Sequence, residues 1–183
     1  MTVEQFRDLP LDDGPYVHEL HHGEVVTLPR PKSRHYKLQA HLLELLQPRA
    51  GGLGFVGIEV PFRAVPQFDF RAADVAFVSQ ERWDMIDPDD NLYGAPDLVI
   101  EVKSTSNTWA ELRERASLCL ANGCQDFWIV DQKARTITAI GRDGKAVQYA
   151  EADSIPLPLF GGDGLRVDLD ADSPLHRQFQ VLR

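Results

Sequence analysis

The sequence has few cysteines, no long apolar run and no excess of basic residues. Its two cysteines, Cys119 and Cys124, cannot form a disulfide framework and lack a metal-binding spacing, so we expect both to be reduced and partly buried. No apolar run approaches the roughly 18 to 20 residues of a membrane-spanning helix. Because the N-terminal MTVEQFRDLP has neither a basic start nor an apolar stretch, we expect a cytoplasmic protein without a secretion signal.

The charge balance is acidic, with 19 Lys and Arg against 28 Asp and Glu and a net charge of -9. Non-specific coating of nucleic acid depends on many Lys and Arg contacts with phosphate, so this charge disfavours that class of function. A nuclease is not excluded, because the field at its site can be positive or can be made positive by a bound metal ion. The length of 183 residues fits one domain with a sizeable core.

Hydrophobic periodicity predicts an α/β fold in which helices flank a mixed central β-sheet. TVEQF predicts a short helix capped by Thr2 and Gln5, and YVHELHHGEVVTLP predicts two short strands. Longer helices are predicted from Ser33, as the N-cap, and over TWAELRERASLCLANG. Further strands are predicted at GFVGIEVPF, RAADVAFVS, PDLVIEVKS, QDFWIVD, RTITAIG and AVQYA. We expect QERWDMIDPDDNLYGA to be an exposed loop.

One domain with three parts is expected. Residues 1–50 form an N-terminal hairpin and helix, residues 54–150 form the core, and residues 151–183 form a peripheral acidic tail. No internal repeat or low-complexity linker divides the chain.

The segment PDLVIEVKSTS, residues 96–106, places ionisable side chains in a strand that otherwise looks buried. Because side chains alternate across a strand, Glu101 and Lys103 share one face with Asp97 and Val99. The other face carries Leu98, Ile100 and Val102 and can pack on a helix. Glu101 and Lys103 then stand roughly 6 to 7 Å apart along the strand. Asp97 lies about 13 Å from Glu101, and we expect it to cap or enter the strand rather than bind metal.

Asp74, at the start of the apolar strand RAADVAFVS, is a candidate partner for Glu101. The separation of 27 positions (101 minus 74) allows a loop and a return into a neighbouring strand. Two such carboxylates can chelate one hard divalent cation, Mg²⁺ with Mn²⁺ as a substitute, which would polarise a phosphodiester and acidify a bound water. Lys103 would stabilise the phosphate charge or position the nucleophile. An ordinary exposed ion pair between Glu101 and Lys103 is the alternative.

The segment GAPDLVIEVKSTSNTWAELRERASLCLANGCQDFWIVD resembles the central signature of the bacterial "putative restriction endonuclease" family, a branch of the PD-(D/E)XK nuclease superfamily. In the family, the signature is similar to GAPDLVVEVLSPST, followed by a helix and then by AGVPEYWLVD. HELHHGEVV and RAADVAFVS are similar to the family's YELIDGELV and QPDVLFVS. The resemblance covers about residues 16 to 150 and implies a restriction endonuclease-like fold.

The resemblance also implies a catalytic set. Asp74 and Glu101 correspond to the metal ligands, Lys103 to the catalytic lysine, and Glu24 of the GE pair to an acid that completes the site and its metal shell. The implied protein is a Mg²⁺-dependent endonuclease acting on DNA. Because one active site cuts one strand, double-strand cleavage favours a homodimer. Ala73 replaces the family's proline before the strand aspartate, a departure that leaves the carboxylate in place.

The segment RPKSRHYK, residues 30–37, precedes and enters the first long helix, and a helix N-terminus with basic neighbours suits a phosphate backbone. The predicted DNA contacts are Arg30, Lys32, Arg34, His35 and Lys37. A solvated basic patch is the alternative interpretation. The alternative function is a non-cleaving nuclease-fold protein that binds nucleic acid or a protein partner. His21 and His22 are adjacent and point to opposite faces, which argues against a zinc site.

Overall fold

A computed structural model of the chain contains a seven-stranded mixed sheet with helices on both faces and a separate two-stranded hairpin. The structure describes residues 1–12, 14–151, 153–162 and 164–169. The helices are α1 (Val3–Arg7), α2 (Ser33–Leu46), α3 (Gln80–Asp84), α4 (Trp109–Ala121) and the 3-10 helix η1 (Pro158–Phe160). The strands are β1 (Tyr16–His21), β2 (Glu24–Pro29), β3 (Gly54–Arg63), β4 (Arg71–Ser79), β5 (Leu92–Tyr93), β6 (Leu98–Val102), β7 (Asp126–Asp131), β8 (Thr136–Gly141) and β9 (Ala146–Ala150).

Two of the helices begin with side-chain caps that satisfy free backbone groups. Thr2 and Gln5 form the predicted capping box at α1, and Thr108 and Glu111 form a second one at α4. Helix α2 begins without a side-chain cap, and its N-cap residue is Lys32, so the prediction of Ser33 as the N-cap is wrong by one residue.

The sheet has the strand order β5-β3-β4-β6-β7-β8-β9. Strands β6 and β7 are parallel, with α4 as the crossover between them, and β4 pairs with β6 in antiparallel fashion. The arrangement confirms a mixed sheet flanked by helices. It also confirms that the two strands carrying Asp74 and Glu101 are neighbours.

Each face of the sheet packs against one long helix. The α2 side buries the predicted apolar face of β6 in a cluster that includes Leu38, Leu42, Leu46, Leu98, Ile100 and Val102. The α4 side buries Val99 with a cluster that includes Leu112, Ala116, Cys119, Cys124, Phe127 and Ile129. Both cysteines are free and fully buried, so the prediction of partial burial is too low.

Two expectations about peripheral segments are wrong. The acidic stretch predicted as a loop contains α3 and β5; Leu92 is buried there, and Trp83 stacks on Phe55 with ring centroids 3.8 Å apart. Residues 164–169, placed in the peripheral tail, insert Leu165 and two further apolar side chains into the α2-side core. Acidic and turn-forming residues concealed the apolar positions between them. The predicted tail beyond residue 169 lies outside the described residues.

Strand β3 changes the face that it buries at Glu59. Ile58 packs with the α2-side core, yet Val60, two residues later, packs with the α4-side core. A regular strand would direct both side chains to one face. Glu59 has a φ of 51°, in the left-handed region, and this reversal lies beside Asp74 on β4.

Among the described helices, none has both the length and the apolar character needed to cross a lipid bilayer.

Candidate active site

Three acidic residues lie in one row across three neighbouring strands. Ile58 and Val60 of β3 pair with Val75 and Ala73 of β4. The residues between them, Glu59 and Asp74, are therefore opposite each other. The pairing of Val75 with Ile100 continues the row, so Asp74 is opposite Glu101. We call Glu59, Asp74 and Glu101 the acid row.

The carboxylate of Asp74 is held by α2 and β6. His35 Nε2 and Gln39 Nε2 each lie 2.9 Å from Asp74 Oδ1, and the backbone N–H of Val102 donates to Oδ2 at 2.6 Å. Burial works against protonation of His35, but its hydrogen bond with Asp74 and the charges of Asp74 and Glu59 outweigh burial and raise the pKa of the imidazole. A site carboxylate thus stabilises positive charge at the start of α2.

Glu101 is buried and only half satisfied. Its side chain accepts one hydrogen bond, from Arg115 Nη1 to Oε2 at 2.7 Å, while Oε1 is buried without a hydrogen-bond partner. Burial raises the pKa of Glu101, and the negative charges of Asp74 and Glu19 raise it further, against the opposing charge of Arg115. Buried polar atoms are nearly always hydrogen-bonded, so this oxygen marks the site as unusual.

Arg115 of α4 joins Glu101 to an acid that the sequence analysis missed, Glu19 of β1. Arg115 Nη2 lies 2.9 and 2.7 Å from the two carboxylate oxygens of Glu19. His21 Nε2 and the backbone N–H of Ala72 also contact this carboxylate. Burial would raise the pKa of Glu19, but Arg115 and these hydrogen bonds lower it to about 2.

The N-terminal acid nearest the site is therefore Glu19, whereas the predicted Glu24 is exposed at the first residue of β2. Within the described part of the chain, no hydrogen bond or ion pair links the Glu24 side chain to Asp74, Glu101 or Arg115. A signal for Glu19 was present, because the family's YELIDGELV has an acid at the position that matches the glutamate of HEL here.

Lys103 follows β6 at the same end of the sheet. Its ammonium lies 3.6 Å from Asp131 Oδ2 and 5.9 Å from the centre of the Trp109 ring, and part of the side chain is exposed. Asp97, at the other end of β6, is a structural residue, as expected. Its carboxylate accepts from the backbone N–H of Ser79 and from Gln125 Nε2.

Comparison with known proteins decides the family. The model of the Uma2 family, described as "Putative restriction endonuclease", matches residues 3–170. The chain belongs to the Uma2 family. A solved structure described as a putative nuclease belonging to DUF820 from Anabaena variabilis ATCC 29413 superposes with a TM-score of 0.76 over 93% of this chain and 96% of that chain, at 17% identity. A search of curated proteins found no match.

Uma2 membership and this likeness confirm the family resemblance and the restriction endonuclease-like fold, and they support a nuclease role. Four of the five predicted DNA contacts lie at the start of α2 in this Uma2 chain, and the fifth, Arg30, is exposed directly after β2, where its Nε donates to the carbonyl of Gly14. Lys32, Arg34 and Lys37 are exposed, and His35 is partly buried against Asp74. The basic segment is therefore physically joined to the acid row. His21 contacts Glu19 while His22 contacts Glu114, so the two imidazoles diverge as expected.

The acid row and its surroundings suit a hard divalent cation in their donor chemistry. Carboxylate oxygens are the ligands that Mg²⁺ prefers, and the unpartnered Oε1 of Glu101 offers an acceptor that a cation would satisfy. Over the described ranges, no three His, Cys, Asp or Glu side chains are already arranged to hold a metal ion. Asp74 and Glu101, with one unpartnered carboxylate oxygen between them, fit an ion that takes one or two carboxylates and keeps several of its waters, as Mg²⁺ does.

Proposed function

We propose that the protein is a metal-dependent endonuclease that hydrolyses phosphodiester bonds of DNA. The observation that carries the proposal is the position of Asp74 opposite Glu101, whose buried Oε1 has no partner. The Uma2 family and the Anabaena protein are both described as nucleases, which supports the same activity.

In this proposal Asp74 and Glu101 hold Mg²⁺, or Mn²⁺ in its place. The bound ion would polarise the phosphodiester and lower the pKa of a water molecule. Lys103 stabilises charge on the phosphate. Its contact with Asp131, at 3.6 Å, is long for a charge-assisted hydrogen bond, so the ammonium can turn toward a substrate oxygen at little cost.

The basic segment supplies the DNA contacts. Its exposed members, Arg30, Lys32, Arg34 and Lys37, would bind backbone phosphates, which carry no sequence information but fix the position of the duplex. His35 connects that surface to Asp74 at 2.9 Å, so a strand bound at the start of α2 lies next to the acid row. The homodimer and the cytoplasmic location stay predictions.

The test is cleavage of plasmid DNA with Mg²⁺ by the wild type and by Glu101→Gln and Lys103→Met, with Lys133→Met as the control for an exposed lysine. We expect Glu101→Gln to lose about 100-fold or more in rate, because the carboxylate would bind the ion that stabilises the transition state. Lys103→Met should lose a similar factor, and the control should retain full activity. Equal cleavage by all four proteins would refute the proposal and indicate a contaminating nuclease.

One observation favours the alternative, a nuclease-fold protein that binds nucleic acid or a protein partner without cutting. Arg115 already contacts both Glu19 and Glu101, so its guanidinium supplies part of the positive charge that a metal would bring. Calorimetric titration with Mg²⁺ and Mn²⁺ separates the two functions. A catalytic site should bind the ion in the wild type and lose it in Asp74→Asn, whereas the alternative predicts no binding in either protein.

A further inference from the structure

Glu59 has a backbone conformation that its position does not ordinarily allow. Among the described residues, the non-glycine residues with a positive φ are His22, Glu59 and Arg135. His22 and Arg135 lie in the turns between adjacent antiparallel strands, where such angles are common. Glu59 lies inside β3, where a φ of 51° is unfavourable for any residue with a side chain. Strained residues of this kind concentrate at functional sites.

The side chain of Glu59 is joined directly to the acid row through Gln39. A single amide nitrogen, Gln39 Nε2, contacts Glu59 Oε1 and lies 2.9 Å from Asp74 Oδ1. The amide oxygen of Gln39, which is fully buried, has no hydrogen-bond partner, and the same is true of Glu101 Oε1. These two oxygens are acceptors without a donor and lie beside three acids, so a cation would satisfy them and a further acceptor would not.

The acids near the acid row differ in whether a basic side chain contacts them and in how exposed they are. Glu19 is neutralised by Arg115, which contacts both of its carboxylate oxygens, and Glu24 is exposed away from these contacts. Glu59 has no basic side chain in hydrogen-bond contact within the described ranges, and part of it is open to solvent. It can therefore face an ion that arrives with its water shell.

We propose that Glu59 is an acidic residue that supports the cation site from beside its ligands, held next to Asp74 by its strained backbone, where its charge raises the affinity for a hard divalent cation. The inference rests on the proposed function, because Asp74 and Glu101 are the ligands that it assists.

The test uses the full chain and two measurements. Calorimetric titration measures the affinity for Mn²⁺, and thermal unfolding of the metal-free protein measures its melting temperature. Glu59→Gln keeps the shape of the side chain and removes the charge, and Glu44→Gln is the matched control on the exposed side of α2. We expect Glu59→Gln to weaken Mn²⁺ binding about 10- to 100-fold, the usual effect of losing a residue that supports metal ligands, and Glu44→Gln to bind as the wild type does.

Two further variants separate strain from charge. Glu59→Gly and Glu59→Ala both remove the carboxylate, but only glycine accepts the positive φ at no steric cost. We expect both to weaken Mn²⁺ binding as Glu59→Gln does, with a higher melting temperature for Glu59→Gly than for Glu59→Ala.

The outcomes distinguish this inference from the proposed function. Normal Mn²⁺ binding by Glu59→Gln, or no Mn²⁺ binding by the wild type, would overturn the role of Glu59. Weakened binding in the Glu59 variants, in a wild-type protein that binds Mn²⁺ and does not cut DNA, would support that role and refute only the endonuclease activity.

Discussion

The two ends of β6 each bury a carboxylate, and the two carboxylates differ in how they are satisfied. Asp97 is 4% exposed and Glu101 is 3% exposed. Both oxygens of Asp97 accept hydrogen bonds, and Arg82 adds an ion pair at 3.1 Å. Glu101 shares Arg115 with Glu19 and leaves one oxygen without a partner.

The difference teaches that burial of an acid does not by itself indicate function. At Asp97 the surrounding donors compensate for the loss of water, so the carboxylate stabilises the junction of β6 with β4 and with the loop before β7. At Glu101 one donor serves two carboxylate oxygens, and the negative charges of Asp74 and Glu19 oppose the positive charge of Arg115, so folding leaves an unfavourable interaction in place. Such an arrangement is typical of a site built for a ligand.

Replacing the arginine at each end should give the largest contrast in stability. Arg115→Met leaves the buried Glu19 carboxylate without its main counter-charge and Glu101 Oε2 without its donor, and we expect a loss of about 3 to 5 kcal/mol in the free energy of unfolding at pH 7. Arg82→Met leaves Asp97 with its two hydrogen bonds, so we expect about 1 to 2 kcal/mol. Urea unfolding measures both values.

A control strengthens this comparison. Adding Glu19→Gln to Arg115→Met removes the buried charge that Arg115 compensated and should recover part of the lost stability. Equal losses for Arg115→Met and Arg82→Met, with no recovery in the double variant, would mean that Arg115 does not hold the two acids together.

Replacing the acids themselves should reverse the contrast. Asp97→Ala removes the acceptor of two hydrogen bonds and the partner of Arg82, so we expect a loss of about 2 to 3 kcal/mol. Glu101→Gln removes an acid whose charged form is disfavoured by burial, while Arg115 keeps Glu19, so we expect a change within about 1 kcal/mol. Urea unfolding with a chelator present measures both. A larger loss in Glu101→Gln than in Asp97→Ala would identify Glu101 as a structural residue.

The sequence predicted the parts of the site that depend on local pattern. Alternation along β6 placed Val102 and its apolar neighbours against α2 and Glu101 on the other face, and the spacing from Asp74 allowed adjacent strands. Local pattern could not find Arg115, because an arginine within a charged helix looks solvated and its partner Glu19 lies 96 residues away.

Backbone geometry was also beyond the sequence. Nothing in GFVGIEVPF indicates that β3 reverses its buried face at Glu59, because a regular strand and a strained one share the same residues and the same alternation. The prediction of a loop over the stretch with α3 and β5 was wrong for a related reason. Strand β5 has only two residues, and its position is set by its pairing with β3.

The pH dependence of stability separates the two acids that Arg115 joins. Because the pKa of Glu101 is raised in the folded state, its proton is bound more tightly there than in the unfolded chain. Its contribution to stability is complete below its ordinary pKa of 4.5 and is lost as the pH rises above that value. Glu19 behaves oppositely, because its pKa is lowered to about 2, so its contribution is present above 4.5 and is lost as the pH falls toward 2.

The measurement is urea unfolding of the wild type and Glu101→Gln from pH 5 to pH 8 with a chelator. Only the wild type carries the Glu101 proton, so we expect its stability relative to Glu101→Gln to fall as the pH rises, by at most about 1.4 kcal/mol per pH unit. Contributions from His35 and Glu59 are present in both proteins and largely cancel. Parallel profiles over this range would show that Arg115 compensates Glu101 fully, which would remove the difference between the two ends of β6.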